Sequence, residues 1–175
     1  MFFYILKTVR ARKFLRAHSR EERPPEAEGF HTIAAVACIV NMDEVEDIAP
    51  LLSLAETFGL EDRQFTVLAY TKTPRKYEDS ALPLFSLKDF TWKLDAKEEI
   101  IRSFLTGEYT LLINYFTKEK LPLLYISARI RAKLRVGFEG TDPHYNDLIF
   151  KIPVNNPALF KNELIKYVNI LKTPA

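Results

Sequence analysis

From residue 31 to residue 40 the chain reads HTIAAVACIV, a nearly continuous apolar run with β-branched members. A strand with one wet face would alternate, so this run predicts a strand buried on both faces and central to its sheet. Asn41, Met42 and Asp43 follow, and Val45, Ile48, Leu51, Leu52, Leu54 and Ala55 then recur at helical spacing up to Gly59. The side chains of Asn41 and Asp43 suit a helix start, while Pro50 predicts a break or a late beginning inside that helix. Further strands are expected over 64–70 (QFTVLAY), 109–115 (YTLLINY), 134–138 (LRVGF) and 147–152 (DLIFKI). Pro83-Leu84-Phe85 predicts a short edge strand, because proline is tolerated at a strand's start or edge and not in its middle. Helices are expected over 96–105 and 121–132. A closing helix follows, capped by Asn155 or Asn156, with Leu159, Phe160, Leu164, Ile165, Val168 and Leu171 facing inward.

Strands and helices that alternate in this way connect by right-handed crossovers and bury a mostly parallel sheet on both faces. The expected fold is α/β, a Rossmann-like or flavodoxin-like three-layer sandwich of five or six strands.

The opening segment departs from this pattern. Ala11, Phe14, Leu15 and His18 share one helical face, and Arg10, Arg12, Lys13, Arg16 and Arg20 fall on the opposite arc. With Lys7 these make six cations and no carboxylate in the first twenty residues. Removing those six from the 25 Lys and Arg leaves 19 against 23 Asp and Glu, so a segment of +6 precedes a remainder of −4. The net charge of +2 conceals the split. Glu21 to Gly29, with adjacent Pro24 and Pro25, breaks the helix. The expected organisation is a basic amphipathic helix over 1–22, a proline-rich linker over 23–30 and a single α/β domain over 31–173.

The lone cysteine, Cys38, excludes a disulfide within the chain and fits a reducing compartment and a core position. The apolar start MFFYIL is six residues long before Lys7, too short to cross a bilayer or to form a signal-peptide core. A cytoplasmic protein is expected.

In such folds ligands lie beyond the carboxyl ends of the strands. A dinucleotide needs a glycine-rich turn there, because only glycine lets the backbone approach a pyrophosphate. Here the turn reads Val40-Asn41-Met42-Asp43-Glu44, with two carboxylates that would repel one. No GxxxxGK[ST] loop occurs. Asp43 and Glu44 imitate the acid pair of a phospho-receiver, but the later strands end in Tyr70 and in Asn114-Tyr115 where an aspartate would be required. Both acids read most simply as helix-start residues complementing the macrodipole. His18, His31 and His144 are too dispersed for a metal set, and no metal or cofactor is expected. Asp142 and His144 lie in a polar loop that is either an ordinary turn or the seat of a general base. Trp92, the only tryptophan, sits between charges in Asp89-Phe90-Thr91-Trp92-Lys93, either as an aromatic cap on the sheet edge or as an exposed anchor. Arg129, Arg131 and Lys133 read either as solvated cations at a helix C-terminus or, with Arg135 and the basic N-terminus, as an extension of one positive surface.

The phrase SLKDFTWK and the stretch YTLLINYFTKEKLPLLYISARIRAKLRVGFEGTDPHYNDLIFKI resemble a family of short Bacteroidota proteins of unknown function that share a basic N-terminal helix. That likeness spans nearly the whole chain and implies a bacterial protein with no assigned catalytic residue. The Lys133–Phe138 phrase KLRVGF also resembles, more weakly, the N-terminal domain of heptosyltransferase-like glycosyltransferases, although their second domain and glycine-rich first loop have no counterpart here.

Two functions are therefore expected. One is a non-enzymatic binding protein whose Lys7, Arg10, Arg12, Lys13, Arg16 and Arg20 dock on RNA, the ribosome or an anionic membrane surface. The other is a transferase-like or degenerate domain binding a nucleotide or sugar, with Asp43, Asn114, Asp142 and His144 as cleft residues.

Overall fold

The computed structural model describes residues 1–18, 32–77 and 79–172, and for Phe2, Phe3 and His18 the backbone alone. Arg20, His31 and the linker expected over 23–30 lie outside the described residues. Six strands form one all-parallel sheet: β1 (Val36–Asn41), β2 (Phe65–Tyr70), β3 (Leu84–Phe85), β4 (Glu108–Tyr115), β5 (Arg131–Phe138) and β6 (Leu148–Phe150). Their order, β3-β2-β1-β4-β5-β6, is that of a Rossmann sheet. The chain is a Rossmann-like α/β sandwich.

The apolar run of β1 places it at the centre. All six of its residues are buried, Ala37 and Ile39 facing one side and Val36, Cys38 and Val40 the other. Burial pushes the Cys38 thiol up to about 12, because the site offers the thiolate no solvation. Right-handed crossovers then fix which helix covers which face. The connection from β1 to β2 carries the short helices α2 (Ala49–Leu52) and α3 (Leu54–Thr57), which share their side with the closing helix α6 (Pro157–Lys172). Connections running in the other direction put α4 (Glu99–Thr106) and α5 (Leu121–Arg129) on the opposite side. The N-terminal helix, α1 (Phe2–His18), joins that second layer and packs on α5.

Several expectations need correction. Pro50 stands at the second residue of α2, so the first crossover turns helical only at Ala49, eight residues beyond the end of β1. Asp43 and Glu44 are therefore not helix-start residues. Helix α5 ends at Arg129, and β5 begins at Arg131, three residues earlier than its apolar pattern shows, because Arg131 and Ala132 pair with Glu108 and Tyr109. In α6, Asn156 supplies the cap through its side-chain oxygen, 3.1 Å from the Leu159 amide, and Phe160, Leu164 and Val168 are buried. Leu159 and Leu171 face solvent. Arg135 is buried. One guanidinium nitrogen donates to Ser127 O at 2.8 Å and the other to Ile130 O. It thus satisfies the carbonyls at the end of α5, complements the helix dipole, and does not contribute to an exposed positive surface.

Candidate functional site

Two regions hold the residues singled out by sequence. The first is the carboxyl edge of the sheet, where the strand order reverses between β1 and β4 and a Rossmann fold would bind its ligand. Here the loops are tied to one another. The Glu44 carboxylate accepts from the Thr117 amide at 3.2 Å, the Lys118 amide at 3.2 Å and the Thr117 hydroxyl, and from Asn41 Nδ2 at 2.6 Å. Asp43 accepts from the Thr71 hydroxyl at 2.7 Å and the Lys72 amide at 3.1 Å. On the far side, Glu119 accepts from the Asp142 amide. The loops after β1, β2, β4 and β5 are laced by three carboxylates of the chain itself. Each sits on backbone N–H groups of the kind that otherwise receive a phosphate.

Asn114 is wholly buried within β4, its amide 2.8 Å from that of Asn146 and 3.4 Å from Tyr145 O. Gly137 on β5 is required by this contact, since a Cβ there would fall on the Asn146 amide. Asp142 Oδ1 lies 2.6 Å from His144 Nδ1 and also accepts from the His144 amide at 3.0 Å, both side chains remaining substantially exposed. The His144 backbone N–H, and then its ring, hold the Asp142 carboxyl below the ordinary carboxylate range. The edge therefore does not assemble Asp43, Asn114 and His144 into one cleft: the first is tied to the β2 loop, the second is enclosed, and the third is paired on the surface. Among the described residues no group of three or more His, Cys, Asp or Glu is placed to hold a metal ion. A groove of about 420 Å³ lies elsewhere, between α4 and β2 beside the start of β4, lined by Val67, Leu68, Ile100 and Phe104.

The second region is where α1 meets α5 and residues 86–97. Ala11 and Leu15 are buried, and Phe14 meets Tyr125 edge-on at 5.3 Å. With that face fastened, Arg12, Lys13 and Arg16 are exposed. Arg10 and Lys7 turn toward the loop instead. The Arg10 guanidinium lies 4.6 Å from the Trp92 ring centroid and Lys93 Nζ 5.4 Å from it, while Lys7 Nζ donates to Leu87 O at 3.4 Å. Lys97 Nζ donates to Lys88 O at 2.7 Å and Arg129 to Leu94 O at 3.1 Å. Partial burial lowers the Lys7 pKa, and the charge of Lys97 lowers it further against the opposing pull of Asp89. The Lys97 charge felt at Lys7 places both ammonium groups in one field.

The profile of a family of unknown function, DUF6913, matches residues 7–171. The chain belongs to that family. The match begins within α1 and so takes in most of the basic helix together with the sheet. No curated protein and no solved structure matches the chain. For this DUF6913 chain, sequence alone missed the roles of Glu44, Glu119 and Asn146. The spacing Asn41-x-x-Glu44 is the one local sign, since the two side chains meet across it. No helix among the described residues is long and apolar enough to cross a membrane.

Proposed function

We propose that this chain is a non-enzymatic binding protein, bacterial and cytoplasmic, that engages a polyanion through α1, with RNA or the ribosome as the partner. The carrying observation is that α1 is fastened to α5 by Ala11 and Phe14, with Leu15 also buried, while Arg12, Lys13 and Arg16 stay exposed. A helix of 17 residues alone is marginal in water. Seated on the domain, its cations are held in fixed positions and give up little further freedom on meeting phosphates. Residues 1–22 and the domain over 31–173 would then act as one binding body, and Arg20 adds a sixth cation to the segment.

A membrane surface is the second reading, favoured by the exposure of Tyr4, Ile5 and Val9 on the same helix. A transferase-like cleft has weaker support, because the amides that would donate to a nucleotide phosphate already donate to Glu44 and Asp43. The test is binding of the full chain to single-stranded RNA and, separately, to vesicles containing phosphatidylglycerol. RNA binding that survives at 0.1 M salt, with no vesicle flotation, supports the first reading; the reverse pattern transfers the helix to lipid. Binding to neither overturns both.

A further inference from the structure

We propose that Trp92 is a base-stacking platform for single-stranded RNA, flanked by Arg10, Lys88, Lys93 and Lys97 as phosphate contacts. This deepens the reading of α1 as a polyanion-binding helix and rests on it. The evidence is the construction of the loop. Phe90 and Ala96 form an antiparallel bridge, Thr91 N–H donates to Asp95 O at 2.8 Å, and Leu94 N–H donates to Thr91 O at 3.0 Å. Residues 90–96 therefore form a closed turn with Trp92 and Lys93 toward its tip.

The turn is locked from beneath. Leu94 is buried, with φ +71°, a left-handed conformation that a non-glycine side chain adopts at a cost. Its carbonyl receives both Tyr125 Oη at 3.2 Å and Arg129 at 3.1 Å. Burying Leu94 in this way leaves Trp92 44% exposed at the surface. A large apolar ring held out by a strained and anchored turn is a feature that stability alone does not require.

The surroundings select the ligand. Lys7, Arg10, Lys88, Lys93, Lys97 and Arg129 gather about this loop, and Asp89 and Asp95 are the carboxylates within it. Asp89 is occupied, accepting from the Ser86 amide at 2.6 Å and the Ser86 hydroxyl at 3.0 Å. An excess of cations around an exposed indole matches the alternation of flat bases and phosphates along a single strand. A duplex keeps its bases stacked inside and offers the ring nothing. On binding, an unpaired base displaces Arg10 or Lys93 from the indole, and the displaced cation moves to the adjoining phosphate. A cation over an exposed ring is only weakly held, so the exchange favours the complex.

Because Trp92 is the only tryptophan in the chain, its fluorescence reports on the site directly. The experiment titrates the full chain, as wild type, Trp92→Ala and Trp92→Phe, with a dye-labelled single-stranded uridine 12-mer, a dye-labelled duplex RNA of equal length and phosphatidylglycerol vesicles, reading affinity from the anisotropy of the label or from vesicle flotation in all three proteins and indole quenching in wild type alone. Stacking predicts saturable quenching by the single strand and none by the duplex. It also predicts about a tenfold or greater loss of affinity in Trp92→Ala, with most of it restored in Trp92→Phe. Binding of the single strand without quenching, at equal affinity in all three proteins, overturns the stacking site and leaves the α1 reading standing. Vesicle binding alone overturns the RNA assignment, and binding to no probe removes the underlying reading as well.

Discussion

The carboxyl edge of the sheet and the α1 face are both rich in charged side chains, yet they use them in opposite ways. At the sheet edge Glu44, Asp43 and Glu119 are each turned onto backbone amides or hydroxyls of a neighbouring loop. Charge there is consumed in holding four loops together. On the α1 face Lys7 and Lys97 spend their ammonium groups on carbonyls, Arg10 lies on an indole, and Arg12, Lys13 and Arg16 are exposed. A residue count registers both regions as charged. Hydrogen-bond partners and exposure separate a region whose carboxylates tie its own loops together from one whose cations lie largely at the surface.

The largest effect should come from undoing the seat of α1. Ala11→Asp buries a carboxylate among the α5 side chains, which should lower stability by about 2–4 kcal/mol and release α1. Chemical denaturation should show the loss, and RNA affinity should fall with it, since the freed helix no longer holds its cations in place. At the sheet edge, Glu44→Ala strands the Thr117 and Lys118 amides and should cost about 1–3 kcal/mol. Its RNA affinity should match wild type; a parallel loss of binding would mean that the two regions are not independent.

A smaller effect concerns pH. Asp142 titrates below its unfolded value in the fold, so its contribution is present above the ordinary carboxylate range and is lost as pH falls through the depressed folded value. The difference in denaturation midpoint between wild type and Asp142→Asn should therefore be constant above about pH 5 and shrink toward pH 3.

The sheet was legible because burial writes itself into local pattern. The run from Val36 to Val40 gave the central strand, Pro83 marked the edge strand, and Pro50 marked the delayed helix. Asp43 and Glu44 were misread because their partners stand 28 and 29 residues away in one case and 73 and 74 in the other. No local rule connects such positions. Arg135 was misread for the same reason, since the carbonyls it satisfies belong to the end of a helix defined only by tertiary packing. The charge asymmetry of α1 was fully visible in sequence, whereas the convergence of Arg10 on Trp92, across 82 positions, was not.

The most direct test of the α1 face is the salt dependence of single-stranded RNA binding by the full chain, measured for wild type and for the Arg12→Ala/Lys13→Ala/Arg16→Ala variant. Three lost phosphate contacts predict a log–log slope shallower by about 2 and an affinity lower by about a hundredfold at 0.1 M salt, with the folded circular-dichroism spectrum retained. Equal slopes and affinities in the two proteins would contradict the account, and would make the outward cations of α1 solvated charge with no partner among nucleic acids.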